Sequence, residues 1–151
     1  TRRSSDLAAK KLFISYSHAD EGHRRALETH LALLRRQGLV ELWHDRKIVP
    51  GAQLSAEIDV HLREADVVLL LISADFLASD YCFDKELALA LELQASGRTR
   101  VVPVIVRPCD WHSAPFGSLL AVPRDGQAVT SWADRDAAWS DVAASLRRVL
   151  A

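Results

Sequence analysis

Several absences narrow what this chain of 151 residues can do. Its six glycines never stand close enough together to form the GxGxxG or Walker patterns that cradle phosphates. No basic run is longer than two residues, and the formal net charge is −1, so no nucleic-acid footprint and no membrane-surface patch is visible. We therefore expect no direct nucleic-acid partner and no membrane partner.

Cysteines and long apolar stretches are also scarce. The two cysteines, Cys82 and Cys109, lie in unrelated contexts, which fits a reduced domain better than a disulfide framework. Cys109 with His112 is at most half of a zinc site, so we expect no metal. Apolar runs are short, such as VVLLLI at 67–72, and neither a signal peptide nor a span of about 18 apolar residues occurs. These features favour a cytoplasmic location.

The length of the chain predicts one domain with a substantial core. Residues 1–9 begin with the polar run TRRSSD and predict a flexible leader or linker, and residues 10–151 are predicted to form the domain. The chain begins at Thr1 without a methionine and ends within a helical pattern, which favours a segment of a longer protein.

Strand-like and helix-like segments alternate along the chain. Strands are predicted at 10–17, 39–43, 66–73 and 100–108, with a last short strand in AVTSW at 128–132. One helix is predicted from about residue 21 to Gly38, and a short one ends near Glu64. A third is predicted from about Phe83 to Ala95, and a closing helix carries the apolar stripe of Trp139, Val142, Leu146 and Val149. This alternation predicts a parallel sheet with helices on both faces, whose ligands bind beyond the carboxyl ends of the strands.

Two of these strands carry further information about their place in the sheet. The segment 66–73 is uniformly apolar, which is typical of a central strand covered on both faces. Pro103 has no N–H to donate, so the segment 100–108 is predicted to lie near an edge or to be bulged.

The polar segment after the first strand predicts a turn. No GxSxG motif is present, so Ser15, Ser17 and His18 are expected to shape this turn by capping and hydrogen bonding rather than to form a catalytic triad. Asp20 is expected to cap the helix that follows.

Glu86 is the residue that fits its helix least well. With about 100° per residue counted from Phe83, Glu86 falls between Ala90 and Leu93, inside the apolar arc and in the first turn. A capping box does not explain it, because Phe83 and not Ser or Thr stands three positions earlier. A Glu paired with a buried Arg, or one that reaches solvent at the helix end, remains the structural alternative to a catalytic role.

Four motifs in order resemble a known family. They are FISYSHAD at 13–20, LWHDRKIVPG at 42–51, ADVVLLLISADFLASDYCFDKEL at 65–87 and VVPVIVRPCDW at 101–111. Together they resemble the TIR (Toll/interleukin-1 receptor) domain of the bacterial kind. The resemblance implies a three-layer α/β, flavodoxin-like fold with a five-stranded parallel sheet flanked by helices.

The resemblance also implies an activity. Many TIR domains cleave NAD+ at the bond between nicotinamide and ribose, and the family's catalytic glutamate matches Glu86. One carboxylate is chemically sufficient, because nicotinamide already carries positive charge in NAD+ and leaves neutral, whereas ordinary glycoside hydrolysis needs a second carboxyl group as an acid. A first-turn position would favour the ionised carboxylate by roughly 0.3–1 kcal/mol. NAD+ would be the substrate, and no cofactor is expected.

The remaining site residues are carried over from the family by position. The resemblance implies that Phe13, Ser15, Tyr16, Ser17, Asp45, Tyr81 and Cys82 bind the substrate. Several family members have an aromatic residue four positions before the glutamate, where this chain has Cys82, and Tyr81 is the candidate replacement. The resemblance also implies self-association through the loop after the second strand, which contains Arg46, Lys47, Ile48, Val49, Pro50 and Gly51.

Three functions stay open at this point. The first is an NAD+ glycohydrolase that gives ADP-ribose or a cyclic variant, is activated by association with other TIR domains, and belongs to a larger prokaryotic defence protein with a fused sensor domain. The second is a non-catalytic adaptor that only assembles with other TIR domains. The third is an enzyme similar to nucleoside deoxyribosyltransferases, which also use a glutamate at a glycosidic bond.

Overall fold

A computed structural model describes residues 8–151 of the chain. Most of the predicted leader, residues 1–9, therefore lies outside the described residues. The first strand begins at Lys10, where the sequence predicts the domain to begin.

Four parallel strands form the sheet. They are β1 (Lys10–Ser15), β2 (Val40–Trp43), β3 (Val67–Ile72) and β4 (Arg100–Ile105). The strand order is β2-β1-β3-β4, so each strand after β1 is reached by a crossover connection. A parallel α/β sheet with flanking helices is the fold class that the sequence predicts.

β3 lies inside the sheet and is covered on both faces, as its uniform apolar sequence predicts. Val67, Leu69 and Leu71 pack into the core on one face. The alternate residues of β3 pack into a second core on the other face. All six residues of the strand are buried, which explains the absence of alternation.

Pro103 lies in the edge strand β4, also as predicted. Its carbonyl accepts a hydrogen bond from Val122 N on the outer side of the sheet, at 2.9 Å. Because the N and C=O of one strand residue point to the same side, the missing N–H of Pro103 faces outward and removes no bond to β3. Gln94 Oε1 accepts from Val101 N at 2.7 Å, so polar groups along this edge have partners.

The predicted fifth strand at 128–132 is wrong. Val129–Ser131 forms a 3-10 turn, and Val122 contributes only an isolated bridge to Val104. Val122 N donates to Pro103 O, and Val122 O accepts from Ile105 N, so this single residue bonds to the outer edge of β4 without forming a strand. The sheet therefore has four strands in the described residues.

Among residues 8–151, six α-helices flank the sheet. They are α1 (Glu21–His30), α2 (Ala32–Arg36), α3 (Leu54–Glu64), α4 (Ala74–Ala78), α5 (Ala88–Ala95) and α6 (Arg135–Leu150). The helix predicted up to Gly38 is divided at Leu31, and Gly38 follows it in the left-handed conformation with φ of 72°. Between residues 8 and 151, no helix combines the length and the hydropathy needed to cross a membrane.

Candidate active site

The candidate site lies where β1 ends against the helical segment that carries Glu86. Phe13 packs on the α3 and α5 face of the sheet, and Ser15 lies two residues further along the strand on the same face. Ser15 Oγ donates a hydrogen bond of 2.5 Å to Glu86 Oε1. Two residues that are 71 positions apart in the sequence are thus joined at the carboxyl end of a parallel strand.

A π-type helical segment, Tyr81–Leu87, positions Glu86 and continues directly into α5. The sequence predicts that the helix starts at about Phe83, whereas Asp80 already has helical dihedral angles. Glu86 therefore lies beyond the first turn, and the predicted stabilisation of its charge by the helix N-terminus is wrong. Wide π-type turns are often found at functional sites, because they redirect a side chain that a regular helix would place elsewhere.

Glu86 is buried without a cation. Its exposed fraction is 6%, and no Arg or Lys between residues 8 and 151 forms an ion pair with it. Burial raises its pKa to about 7, the hydrogen bond from Ser15 opposes this rise, and the nearby charge of Asp45 adds to it. The buried arginine of this region, Arg24, pairs with Glu21 and Glu28 instead. Neither of the structural alternatives, a buried ion pair or escape to solvent, describes Glu86.

A cavity of about 290 Å³ opens in front of this carboxylate. It is lined by Tyr16, Ser17, His18, Asp45, Leu54, Ile58, Ser79, Tyr81, Cys82 and Glu86. A second cavity of about 360 Å³, on the side of α3 and Lys85, shares Ile58, Tyr81 and Glu86 with the first. The carboxylate therefore stands between two concave spaces, the first of which approaches the size of a small-molecule site, about 300 Å³ or more.

Five of the seven predicted substrate-binding residues line the first cavity: Tyr16, Ser17, Asp45, Tyr81 and Cys82. Ser15 is buried and meets the site only through its bond to Glu86. Phe13 lies outside the cavity, 1% exposed in the core, with its ring 5.2 Å from that of Trp43. Leu54, Ile58 and Ser79 also line the cavity, and the sequence does not single them out as site residues.

Tyr16 and Cys82 present neutral groups to the cavity. Tyr16 OH donates to Glu21 Oε1 at 2.7 Å, and burial raises the pKa of the phenol. Cys82 Sγ donates to the carbonyl of Tyr16 at 3.4 Å, and burial raises the pKa of the thiol to about 11. A neutral thiol is a poor nucleophile, so Cys82 contributes to the wall rather than to covalent chemistry.

The rim of the cavity joins the loops that follow β1 and β2. His18 Nε2 lies 2.9 Å from Asp45 Oδ2, and Ser17 Oγ accepts a hydrogen bond from Ala19 N, which caps the turn as the sequence predicts. Asp45 Oδ1 is buried and has no hydrogen-bond partner within the described chain. A ligand that offers an O–H or N–H group would satisfy this oxygen.

Residues 46–51 lie beyond the cavity, on the surface. Val49 is 67% exposed, and the turn Val49–Ala52 closes with a hydrogen bond of 3.2 Å between Ala52 N and Val49 O. Gly51 has φ of 90°, a conformation that suits glycine after Pro50 in this turn. Lys47 Nζ donates to Leu42 O at 2.7 Å and so anchors the start of the loop to β2.

Asp20 has a different role from the predicted cap. Its side chain makes no capping bond and is 1% exposed. It accepts hydrogen bonds from Ser73 Oγ at 2.5 Å and from Arg107 Nε at 2.8 Å. Asp20 therefore ties the loop after β1 to the ends of β3 and β4.

Metal-binding chemistry has no counterpart in the described part of the chain. No three side chains of His, Cys, Asp or Glu are grouped there in a way that could hold a metal ion.

Comparisons with known proteins agree with this architecture. The family model of the TIR domain matches residues 12–146. An uncharacterized protein, y4lF, of Sinorhizobium fredii (strain NBRC 101917 / NGR234) is 54% identical over 136 residues, which cover 90% of this chain and 42% of that protein. The chain thus spans less than half the length of this relative.

Two solved structures share the fold. The TIR domain of the Toll-related receptor TRR-2 from Hydra magnipapillata has a TM-score of 0.64 and 20% identity, over 92% of this chain and 96% of that one. The TIR domains of the activated Roq1 resistosome, which recognises the pathogen effector XopQ, have a TM-score of 0.52 and 23% identity, over 64% of this chain and 57% of that one. The family match over most of the chain, the bacterial relative and the shared fold establish that this chain belongs to the TIR domain family and is of the bacterial type.

Proposed function

We propose that this domain is an NAD+ glycohydrolase that cleaves the nicotinamide–ribose bond with Glu86 as its catalytic residue. The observation that carries the proposal is the state of Glu86. It is a 6% exposed carboxylate that lacks a cationic partner within residues 8–151 and faces a cavity. Keeping such a group costs stability, and a cationic ligand would offset that cost.

The chemistry follows from the substrate's own charge. When the C–N bond breaks, its electron pair moves to the ring nitrogen, and nicotinamide leaves neutral while positive charge develops on the ribose. Ser15 holds Oε1 of Glu86, and Oε2 makes no hydrogen bond to any residue from 8 to 151. Oε2 is thus available to a ribose hydroxyl or to the developing cation, where a negative charge in a water-poor site is most effective.

The two cavities fit a ligand with two parts. Nicotinamide with its ribose would lie before Glu86, and Tyr81, half-buried between the cavities, would contact a ring in the place of the family's aromatic residue. Asp45 Oδ1 would accept a hydrogen bond from a hydroxyl or amide group of the substrate. Ser17, Tyr16 and Cys82 would form the remaining wall.

Self-association through residues 46–51 is part of the same proposal. Arg46, Lys47, Val49, Pro50 and Gly51 are exposed, and Ile48 is half-buried. This loop begins at Asp45, which lines the cavity, so docking of a second TIR domain on the loop would act directly on the rim of the site. The likeness to TIR domains of an activated resistosome supports assembly, and we extend it to a role in a larger prokaryotic defence protein with a fused sensor domain.

The test is the substitution Glu86→Gln, which removes the charge and keeps the shape. In the full-length protein, after activation, we expect nicotinamide release to fall to background, as measured by chromatography of NAD+, nicotinamide and ADP-ribose. Glu92→Gln is the matched control, because Glu92 belongs to the same helical region and is exposed. Full activity of Glu86→Gln would refute the assignment.

A further inference from the structure

We propose that His18, oriented by Asp45, is the general base that takes the proton of the water molecule that captures the ribosyl cation. This inference rests on the proposed function and concerns its second half, after nicotinamide has left. Glu86 faces the cation in the interior of the cavity, and the proton of the attacking water passes to a second group. His18 lines the same cavity, and its side chain is half-exposed.

The pair has the geometry of a base with its orienting group. His18 Nε2 is 2.9 Å from Asp45 Oδ2, and the side chains are 48% and 23% exposed. A carboxylate at this distance holds the proton on Nε2, so Nδ1 keeps the lone pair that a base needs. The partial exposure of His18 gives water a path to the ring.

The turn that carries His18 is fixed at both ends. Ser17 caps it through Ala19 N, and Asp20 anchors it to Ser73 and Arg107. The ring of Tyr16 lies 5.6 Å from that of His18. A catalytic group must be held close to its productive position by its surroundings, and this turn provides that support.

Another histidine of the described chain offers a comparison. His30 Nε2 lies 3.1 Å from Asp136 Oδ1, which is the same kind of pair, but neither residue lines the Glu86 cavity. The His30 pair joins α1 to α6 on the surface. Pairing with aspartate alone therefore does not single out His18, whereas pairing within the cavity does.

The step balances without a further reactant. The oxygen of water forms a bond to C1′ of the ribose, and one proton of that water moves to Nδ1 of His18. The positive charge passes from the sugar to the imidazolium, and the proton then leaves to solvent. The product is ADP-ribose.

The experiment uses a competing nucleophile that has no proton to lose. The full-length protein, after activation, is given NAD+ with 3-acetylpyridine, whose ring nitrogen captures the same cation without a base. Chromatography then gives the ratio of the 3-acetylpyridine dinucleotide to ADP-ribose. General bases contribute typically about 10²–10⁴-fold, so we expect His18→Gln to raise this ratio by about tenfold or more.

The choice of variants separates a base from a structural contact. The amide of His18→Gln can still donate to Asp45 but cannot take a proton, and His30→Gln is the matched control, for which the ratio is expected to match the wild type. An unchanged ratio in His18→Gln with intact nicotinamide release would overturn the role of His18 alone. The role of His18 would also be overturned if His18→Gln lost nicotinamide release and 3-acetylpyridine did not restore it. A wild-type protein that releases no nicotinamide would instead refute the proposed function.

Discussion

Two carboxylates are buried near the carboxyl end of the sheet, and their surroundings are opposite. Asp20 is 1% exposed and is held by the guanidinium of Arg107 and the hydroxyl of Ser73. Glu86 is 6% exposed and has only the hydroxyl of Ser15. The polar surroundings of Asp20 are complete within the protein, whereas Oε2 of Glu86 has no hydrogen-bond partner among residues 8–151.

This difference separates a structural from a functional carboxylate better than burial does. A buried ion that is paired and hydrogen-bonded fixes the position of the elements it joins. A buried ion without a cation shifts its pKa instead, and such shifts are concentrated at functional sites. Arg107 makes the distinction, since it forms ion pairs with Asp20 and Asp75 and none with Glu86.

The largest expected effect on stability comes from Asp20. Asp20→Ala leaves Arg107 without its buried partner and Ser73 without its acceptor, and we expect the free energy of unfolding to fall by about 3–5 kcal/mol. Urea unfolding at neutral pH measures this loss. Asp75→Ala is the control, because Asp75 pairs with the same arginine but is half-exposed, and the expected loss is about 0–1 kcal/mol. Equal losses in the two variants would remove the contrast between Asp20 and an ordinary surface pair.

Glu86 is expected to behave in the opposite way. Its pKa rises from 4.5 to about 7 on folding, so the folded state favours the protonated form, and stability is lost as pH increases through this window. At about 1.4 kcal/mol per pKa unit, the loss amounts to about 3 kcal/mol. We expect Glu86→Gln to be more stable than the wild type by up to that amount at pH 8.

At pH 4, where the wild-type Glu86 is mostly protonated in both the folded and the unfolded state, the two proteins should differ little. Thermal unfolding at the two pH values measures the change. A difference between variant and wild type that does not depend on pH would show that the charge of Glu86 carries no cost, which would weaken the comparison with Asp20.

The sequence predicts the position of Glu86 but not that of Asp20, for a physical reason. The apolar arc around Glu86 is local to one helix, so the helical period reveals it. Asp20 meets Ser73 and Arg107 at separations of 53 and 87 residues, and no local period reports such contacts. Its position before a helix instead suggests a cap, which the structure replaces with a tertiary anchor.

Other features of the fold also divide into those that the sequence predicts and those that it does not. The uniform apolar sequence of β3 predicts a strand inside the sheet, because both of its faces must be covered by the core. Pro103 predicts an edge position for β4, because proline has no N–H to donate to a second neighbouring strand. The sequence does not predict the π-type helical segment Tyr81–Leu87, because that segment depends on where the backbone hydrogen bonds shift by one residue. The prediction of a fifth strand is wrong, because residues Val129–Ser131 form a 3-10 turn and Val122 forms only a single bridge to β4.

The most direct test of the central claim is the titration of Glu86 itself. Carbon NMR of protein labelled at glutamate Cδ, assigned by comparison with Glu86→Gln, follows its ionisation in the free protein and with carba-NAD+, in which a methylene replaces the ribose ring oxygen and prevents cleavage. We predict a midpoint near 7 in the free protein and a lower one with the analogue bound, because the pyridinium cation stabilises the carboxylate. A midpoint near 4.5 that the analogue leaves unchanged would contradict the account.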